Sequence, residues 1–242
     1  MVGFPSGMLE KILVLGVIEG LTEFLPVSST AHLILAGRFL GCEGEFAKLF
    51  EVFIQLGAIL SVVGLFWKRI WYVVRTVKGD IQSRLLVINL GLAFLPSAVV
   101  GLGFHRWIKA YLFTPDVVST TLLVGGIVIV IFESIFFRKN LHQLGLEDLK
   151  PAQALGIGLC QSVSLIPGVS RAAATIIGGM AMGLSRSAAL EFSFLLAIPT
   201  MAAACSFDLL TNVSILEWTP SLLLGLGFTA AFVSALVAAR AL

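Results

Sequence analysis

The sequence predicts an all-α integral membrane protein built as an inverted-topology repeat, and three observations favour this fold class. Of the 242 residues, 58% are hydrophobic and 12% are charged, whereas a soluble domain carries about 25% charged residues. Five stretches without charge are nearly long enough to cross a membrane, and two other segments of the chain resemble each other. We therefore expect residues 1 to 242 to form a single membrane domain.

The charge-free stretches are matched to helices by length, because a spanning helix needs roughly 20 apolar residues. They cover 52 to 67, 85 to 104, 117 to 132, 192 to 207 and 218 to 239. Extended to the neighbouring turns, they predict about five transmembrane helices, at 48 to 67, 85 to 104, 117 to 137, 192 to 209 and 218 to 239.

The charges of the loops give the direction of each span. The loop at 68 to 84 has five Lys or Arg residues and one Asp, and the positive-inside rule places it in the cytoplasm. Basic residues in 138 to 150 fit the same side, and loops 105 to 116 and 210 to 217 then lie outside. The net charge is only +2, so basic residues report on topology and we expect no nucleic-acid partner.

These directions require two re-entrant helix pairs, at 8 to 42 and 151 to 185, which enter the membrane from opposite faces. Repeat 1 covers about 8 to 137 and repeat 2 about 151 to 242. In such folds the broken helices of each half meet near the midplane, where irregular backbone lines a cavity. Repeat 1 has one more span than repeat 2, so we expect a final helix to be missing from this chain. The alternative is a second half that functions with one span fewer.

The two similar segments are GVIEGLTEFLPVSSTAH at 16 to 32 and GLCQSVSLIPGVSRAAAT at 158 to 175. Each has an apolar run with an acid or amide, a proline-centred break, a Val-Ser pair and a second apolar run. Ionisable groups at membrane depth are expensive, so paired sets of them indicate a functional site.

In the first segment, Glu19 and Glu23 are four residues apart and share a helix face, with Ser28, Ser29 and His32 just across the proline break. The alternative is a hydrated vestibule with an ordinary helix histidine. The two serines are also suited to cap the returning helix. A helix N-terminus that faces a polar cavity is itself an anion site, so capping and function are compatible.

In the second segment, Arg171 has a planar guanidinium that suits phosphate oxygens. Its alternative role is a structural ion pair with one of the acids. Thr175 lies four residues on, on the same helix face, although its hydroxyl can equally bond to its own helix. Gln161 and Ser170 complete the polar set of this segment.

Together these residues favour phosphate chemistry on a lipid. Two acids can hold a divalent cation, an Arg and helix N-H groups can bind the transferred phosphoryl group, and His or Ser can act as nucleophile or proton relay. A lipid-phosphate transporter (flippase) would use the same repeat and the same anion site. The His32 imidazole beside two serines favours the phosphatase, because transport needs neither a nucleophile nor a proton relay.

At these residues the chain resembles the bacterial undecaprenyl-diphosphate phosphatase family of bacitracin-resistance type. The resemblance covers essentially the whole chain, through EGLTEFLPVSSTAH, FEVFIQLGAIL, FWKR, PGVSRAAATIIGGM and EFSFLLAIP. It implies hydrolysis of a C55 polyprenyl diphosphate to the monophosphate lipid carrier of peptidoglycan synthesis, and bacitracin resistance. It also implies a Mg²⁺ or Ca²⁺ requirement, and a site in the bacterial cytoplasmic (inner) membrane that opens to the periplasm.

The resemblance assigns roles by position. Glu19 and Glu23 become the motif acids and metal ligands, Ser28 or Ser29 and His32 the catalytic hydroxyl and imidazole, and Ser170, Arg171 and Thr175, with Gln161, the phosphate-binding group. Whether His or Ser attacks phosphorus stays open. So does the oligomeric state, a homodimer included. The expected partners are the polyprenyl diphosphate substrate and membrane lipid.

The chain departs from the family pattern at three positions. The second motif usually reads SRSGAT, and here Ala172 and Ala173 replace its second Ser and its Gly. This removes one hydroxyl from the anion site. Ala31 stands where Gly is frequent. The family also ends with a further membrane helix, in agreement with the count of spans in the two repeats.

Overall fold

The structure, a computed structural model, describes residues 7–136, 144–211 and 221–242. Within these ranges the chain is almost entirely helical and has no β-strand. Five of its helices are long and apolar enough to cross a membrane. The predicted class, an all-α integral membrane protein, is therefore confirmed.

We number the helices α1 to α10 in chain order. They are α1 Met8–Thr22, α2 Ser29–Leu40, α3 Glu45–Leu65, α4 Trp67–Thr76, α5 Ile81–Tyr111, α6 Pro115–Phe136, α7 Pro151–Ser162, α8 Arg171–Ala181, α9 Arg186–Thr211 and α10 Ser221–Ala241. The candidate spans are α3, α5, α6, α9 and α10. All five predicted spans are therefore present, most of them longer at one or both ends than the sequence indicated.

The pairs α1–α2 and α7–α8 are made of short helices joined by irregular turns. Their lengths of 15, 12, 12 and 11 residues are below the roughly 20 residues of a spanning helix. Each pair is broken at the proline predicted from the sequence, at 23–28 and at 163–170. The re-entrant insertion of the pairs, the inverted relation of the repeats and the repeat boundaries stay predictions.

The two halves of the chain pack into each other. Helix α1 packs along α10, and α7 packs along α5, so the first helix of each half lies against a spanning helix of the other half. Helices α3 and α9 pack against each other, and α8 packs on α9. This places the turn after α1 and the start of α8 on the same central helices.

Glycines allow the closest of these approaches. A Cβ at Gly158 of α7 would lie 2.8 Å from the Cα of Ala93 in α5, and one at Gly20 would collide with the α10 backbone at Ala231. Such small-residue contacts are the usual way for membrane helices to pack closely. By contrast, a Cβ at Gly125 or Gly126 of α6 would meet no described atom within 4 Å, because α6 packs on little of the described chain.

We expect Gly158→Val to destabilise the protein by about 1 to 3 kcal/mol, the usual cost of overpacking a close contact. The melting temperature in detergent should fall by several degrees relative to the unmutated chain. Gly125→Val is the matched control, because it adds the same β-branched side chain to a helix at an open position. Equal melting temperatures for the two variants would contradict the packing of α7 on α5.

The segment at 68 to 84 is not all loop as predicted, because it contains most of helix α4. Its cytoplasmic placement stays a prediction. Two side chains of α4, Ile70 and Val73, pack against the hydrophobic core. Asp80 then caps the N-terminus of α5, where its carboxylate accepts hydrogen bonds from the hydroxyl and backbone N-H of Ser83 at 2.7 and 2.9 Å. These hydrogen bonds lower the pKa of Asp80. The predicted loops at 138 to 150 and 210 to 217 lie partly outside the described residues.

Candidate active site

A buried ion pair joins the two broken helix pairs. Glu23 follows the last residue of α1, and Arg171 is the first residue of α8, 148 residues later. The Arg171 Nη2 donates to Glu23 Oε1 at 2.8 Å, with the two side chains only 12% and 7% exposed. The two similar segments therefore meet at charged groups, and the ion pair considered for Arg171 is present.

The guanidinium of Arg171 is held on several sides. Its Nη1 donates to the backbone carbonyl of Ser193 in α9 at 3.2 Å, and its Nη2 also lies 3.4 Å from the Met201 sulfur. Its carbon lies 5.9 Å from the ring centre of Phe24. The buried Nε makes no hydrogen bond with the described residues. One donor of the guanidinium is therefore free for a further acceptor.

Glu23 also binds a hydroxyl from the returning helix of its own pair. Ser29 is the first residue of α2, and its Oγ donates a short hydrogen bond to Glu23 Oε2. The other carboxylate oxygen of Glu23 accepts from Arg171. A carboxylate therefore lies directly between a serine hydroxyl and an arginine, in a site that is largely shielded from solvent.

Ser28 positions His32 through its backbone. The Ser28 carbonyl lies 2.8 Å from His32 Nδ1, and since a carbonyl can only accept, Nδ1 is the donor of this hydrogen bond. Ser28 has a φ of 63°, and it is the one non-glycine residue with positive φ in the described ranges. Such a conformation is uncommon for serine and is typical of functional turns.

Glu19 lies one helical turn before Glu23 and is fully buried. Neither of its carboxylate oxygens accepts a hydrogen bond from a donor group of the described residues, and the Glu23 carboxyl group is within hydrogen-bonding reach. Glu23 and Glu51 act on it as neighbouring negative charges and Arg171 as a positive one. An ionised carboxylate without a positive partner strongly destabilises the folded protein in such surroundings. We therefore expect Glu19 to be either protonated or bound to a cation.

Glu19 and Glu23 are the predicted ligands of a metal ion. No group of three or more His, Cys, Asp or Glu side chains in the described part of the chain is arranged to hold a metal ion. Mg²⁺, however, is commonly bound through one or two carboxylates together with substrate phosphate oxygens and water. The free oxygens of Glu19 fit that kind of site, in which the substrate supplies the remaining ligands.

The other predicted phosphate-binding residues are used differently. The Ser170 Oγ caps α8 by accepting from the Ala173 N-H at 3.1 Å. The Thr175 Oγ1 lies 2.9 Å from the carbonyl of Arg171 and 2.6 Å from the Ser193 hydroxyl, so it bonds to its own helix and to α9. A hydrogen bond from Thr175 to its own helix is the alternative to phosphate binding that the sequence left open. It supports the backbone that carries Arg171.

Gln161 does not contact the cluster of Glu23, Ser29 and Arg171. Its Nε2 donates to Ser97 Oγ of α5 at 2.7 Å and lies 3.4 Å from Thr200 Oγ1 of α9. Its Oε1 is buried without a hydrogen bond to the described residues. A direct role of Gln161 in phosphate binding has no support in this arrangement, and its contacts indicate a role in joining α7 to α5 and α9.

Ser193 was missed by sequence reasoning. Its carbonyl accepts from Arg171 and its hydroxyl bonds to Thr175, so it holds the charged residue of α8 twice. The available signal was a serine within the apolar run EFSFLLAIP, two residues after the acid Glu191. Glu191 itself points away from the site and pairs with Arg69, with 36% of its side chain exposed.

Comparison with known proteins gives the family of this chain. Residues 12–242 match the family described as bacitracin resistance protein BacA. The chain belongs to this family. It is 49% identical to "Undecaprenyl-diphosphatase 2" of Paramagnetospirillum magneticum over 233 residues, which are 96% of this chain and 88% of that protein.

Other members of the family are nearly as similar. "Undecaprenyl-diphosphatase 2" of Rhodospirillum rubrum is 48% identical, over 97% of this chain and 85% of its own length. "Undecaprenyl-diphosphatase" of Ectopseudomonas mendocina is 45% identical, over 97% of this chain and 84% of its own length. The family resemblance recognised from the motifs is therefore confirmed over nearly the whole chain.

Proposed function

We propose that this chain hydrolyses undecaprenyl diphosphate to undecaprenyl phosphate and inorganic phosphate. The observation that carries the proposal is that Glu23 binds the hydroxyl of Ser29 and the guanidinium of Arg171 at the same time. The proposed general base is thus hydrogen-bonded to both the proposed nucleophile and the proposed phosphate-binding arginine. The names of the relatives give the substrate, because all three are called undecaprenyl-diphosphatases.

Arg171 is the proposed phosphate-binding residue. Its free Nε, together with the N-terminal N-H groups of α8, offers donors to the terminal phosphoryl group. Phosphoryl transfer depends mainly on positioning and on stabilising negative charge. The contacts with Ser193 and Met201 hold the guanidinium in place before substrate arrives, so little reorganisation is needed.

Ser29 is the proposed nucleophile, and Glu23 is its base. As the Ser29 Oγ bonds to the terminal phosphorus, its proton moves to Glu23 Oε2 and the bond to the bridging oxygen breaks, which releases undecaprenyl phosphate. Water then hydrolyses the phosphoserine. His32 is the proposed acceptor of the proton of that water through its Nε2, since its Nδ1 is held by the Ser28 carbonyl. Attack by His32 itself is the alternative mechanism.

Glu19 and Glu23 are the proposed ligands of a divalent cation, Mg²⁺ or Ca²⁺. The free oxygens of the buried Glu19 carboxylate support this assignment. When bound, the cation would neutralise charge on the phosphate oxygens. We further propose that the site opens to the periplasmic side of the bacterial inner membrane, where the reaction would recycle the lipid carrier for peptidoglycan synthesis and thereby confer bacitracin resistance.

The proposal is tested by phosphate release from undecaprenyl diphosphate, using the purified chain in detergent. We expect release that stops on chelation with EDTA and returns when Mg²⁺ or Ca²⁺ is added. A folded and monodisperse protein that releases no phosphate at any concentration of either cation would contradict the proposed function. Transport of the lipid phosphate without hydrolysis would then become the leading hypothesis.

Glu19→Gln separates cation binding from folding, because the amide keeps the volume and loses the charge. We expect the cation concentration for half-maximal activity to rise at least about tenfold, the usual effect of losing one carboxylate ligand or its support. Thermal stability should be unchanged or higher, since a buried carboxylate without a partner is removed. An unchanged cation requirement would exclude Glu19 as a ligand.

A further inference from the structure

Helix α4 exposes large apolar side chains on one side. Trp67, Trp71 and Val74 are 54%, 44% and 61% exposed, whereas Val73 is 8% exposed and packs in the core. On a helix with 3.6 residues per turn, positions 67, 71 and 74 form one continuous strip. The strip is separate from the face that packs on the rest of the protein.

Basic side chains border this strip. The Trp67 and Trp71 rings stack with centres 5.7 Å apart, and the guanidinium carbon of Arg75 lies 4.5 Å from the centre of the Trp71 ring. Lys68, Arg75 and Lys78 are exposed, and none of the three forms an ion pair with a described acid. Arg69 differs, because it pairs with Glu191.

The position of α4 fixes its surroundings. The spanning helix α3 ends at Leu65, α4 begins at Trp67, and the spanning helix α5 begins at Ile81. A helix that connects two spans at the same end lies at the membrane surface. The exposed apolar strip therefore meets lipid, since tryptophan side chains are most stable at the boundary between the headgroups and the acyl chains.

We propose that α4 lies in this boundary and binds acidic phospholipid headgroups through Lys68, Arg75 and Lys78. The charge is complementary, because the headgroup phosphate is anionic and the three basic side chains pair with no acid in the described part of the chain. Each basic residue held near an anionic surface strengthens binding roughly fivefold. The stacked tryptophans orient the basic residues, and the aromatic ring under Arg75 limits the positions of its guanidinium.

The test measures which lipid contacts α4. Trp107 and Trp218 are replaced by phenylalanine, so that fluorescence comes only from Trp67 and Trp71. The full chain is reconstituted in bilayers of phosphatidylglycerol and phosphatidylcholine, in which only one of the two lipids carries brominated acyl chains. Bromine quenches tryptophan at short range, so the two bilayers report the local fraction of each lipid.

We expect phosphatidylglycerol to be preferred about fivefold or more at low ionic strength, and less as salt screens the charges. Replacing Lys68, Arg75 and Lys78 together by glutamine should remove the preference but leave the quenching. Arg106→Gln is the matched control, because Arg106 is exposed on α5 about 38 Å along the helix from its start, and the preference should persist.

Two results would overturn the proposal. Equal quenching by the two lipids would mean that α4 meets the bilayer without headgroup selection. No quenching by either lipid would mean that the strip faces water or another protein. Melting temperature and phosphate release of the triple variant show whether it is folded, because α4 contributes no side chain to the candidate active site.

Discussion

Ser29→Ala is expected to lower phosphate release from undecaprenyl diphosphate by about a thousandfold or more, because it removes the proposed nucleophile. The protein should remain folded, since Ser29 contributes one hydroxyl and its partner Glu23 keeps the ion pair with Arg171. The measurement is the initial rate at saturating substrate, with the melting temperature as the check of folding.

Ser28→Ala is the matched control for this experiment. The Ser28 hydroxyl makes no hydrogen bond to the described residues, and its contribution to His32 is made by the backbone carbonyl, which alanine keeps. We expect activity within about tenfold of the unmutated chain. A large loss of activity in Ser28→Ala with little loss in Ser29→Ala would show that the nucleophile is Ser28, and would contradict the assignment to Ser29.

Trapping the intermediate distinguishes Ser29 from His32. Rapid acid quench of the chain with labelled substrate should leave acid-stable label on Ser29, because a phosphate ester of serine survives acid. A phosphohistidine is lost in acid and survives in base. Base-stable, acid-labile label in the Ser29→Ala variant would establish attack by His32 and contradict the proposed mechanism.

Arg171→Ala is expected to reduce activity by about a hundredfold or more, through the loss of the charge that stabilises the phosphoryl group. It should also destabilise the protein by about 3 to 5 kcal/mol, because Glu23 is left buried without its partner. Arg171→Lys keeps the charge but not the planar fork. Lysine should therefore recover part of the stability and little of the activity.

The double variant Arg171→Met with Glu23→Gln separates the two effects. Neutral residues of similar size commonly replace a buried ion pair with little loss of stability. We expect the melting temperature of the double variant to lie above that of Arg171→Ala, with activity still at the background level. Recovery of activity in the double variant would show that the pair is structural and that phosphate binds elsewhere.

Much of the site was predictable because membrane burial makes charged residues informative. Two similar segments with polar groups at membrane depth had to meet in a protected place, and Glu23 and Arg171 do so. The hydrogen-bond partner of each polar side chain was less predictable. Glu19 and Gln161 hold matched positions in the two segments, yet Glu19 is left without a partner and Gln161 bonds to Ser97. That difference depends on which spanning helix packs beside each segment.

Two features gave little signal in the sequence. The positive φ of Ser28 follows from the geometry of the turn, and serine is not a residue that favours this conformation. Helix α4 lies in a segment predicted to be a loop, because its basic residues lower the hydropathy of the segment. The available sign of an amphipathic helix was the spacing of its apolar residues. Trp67, Trp71 and Val74 share one face, and Ile70 and Val73 share another.

The packing of α1 on α10 also has a consequence for biosynthesis. Glu19 lies in the first described helix and Glu23 directly follows it, and the surface that supports this helix, with Gly20 against Ala231, belongs to the last described helix. Both acids therefore leave the ribosome early but gain their final surroundings only after α10 has been translated and inserted. A nascent chain in the membrane has no assembled site until then, so the proposed hydrolysis of the lipid requires that synthesis of this region is complete.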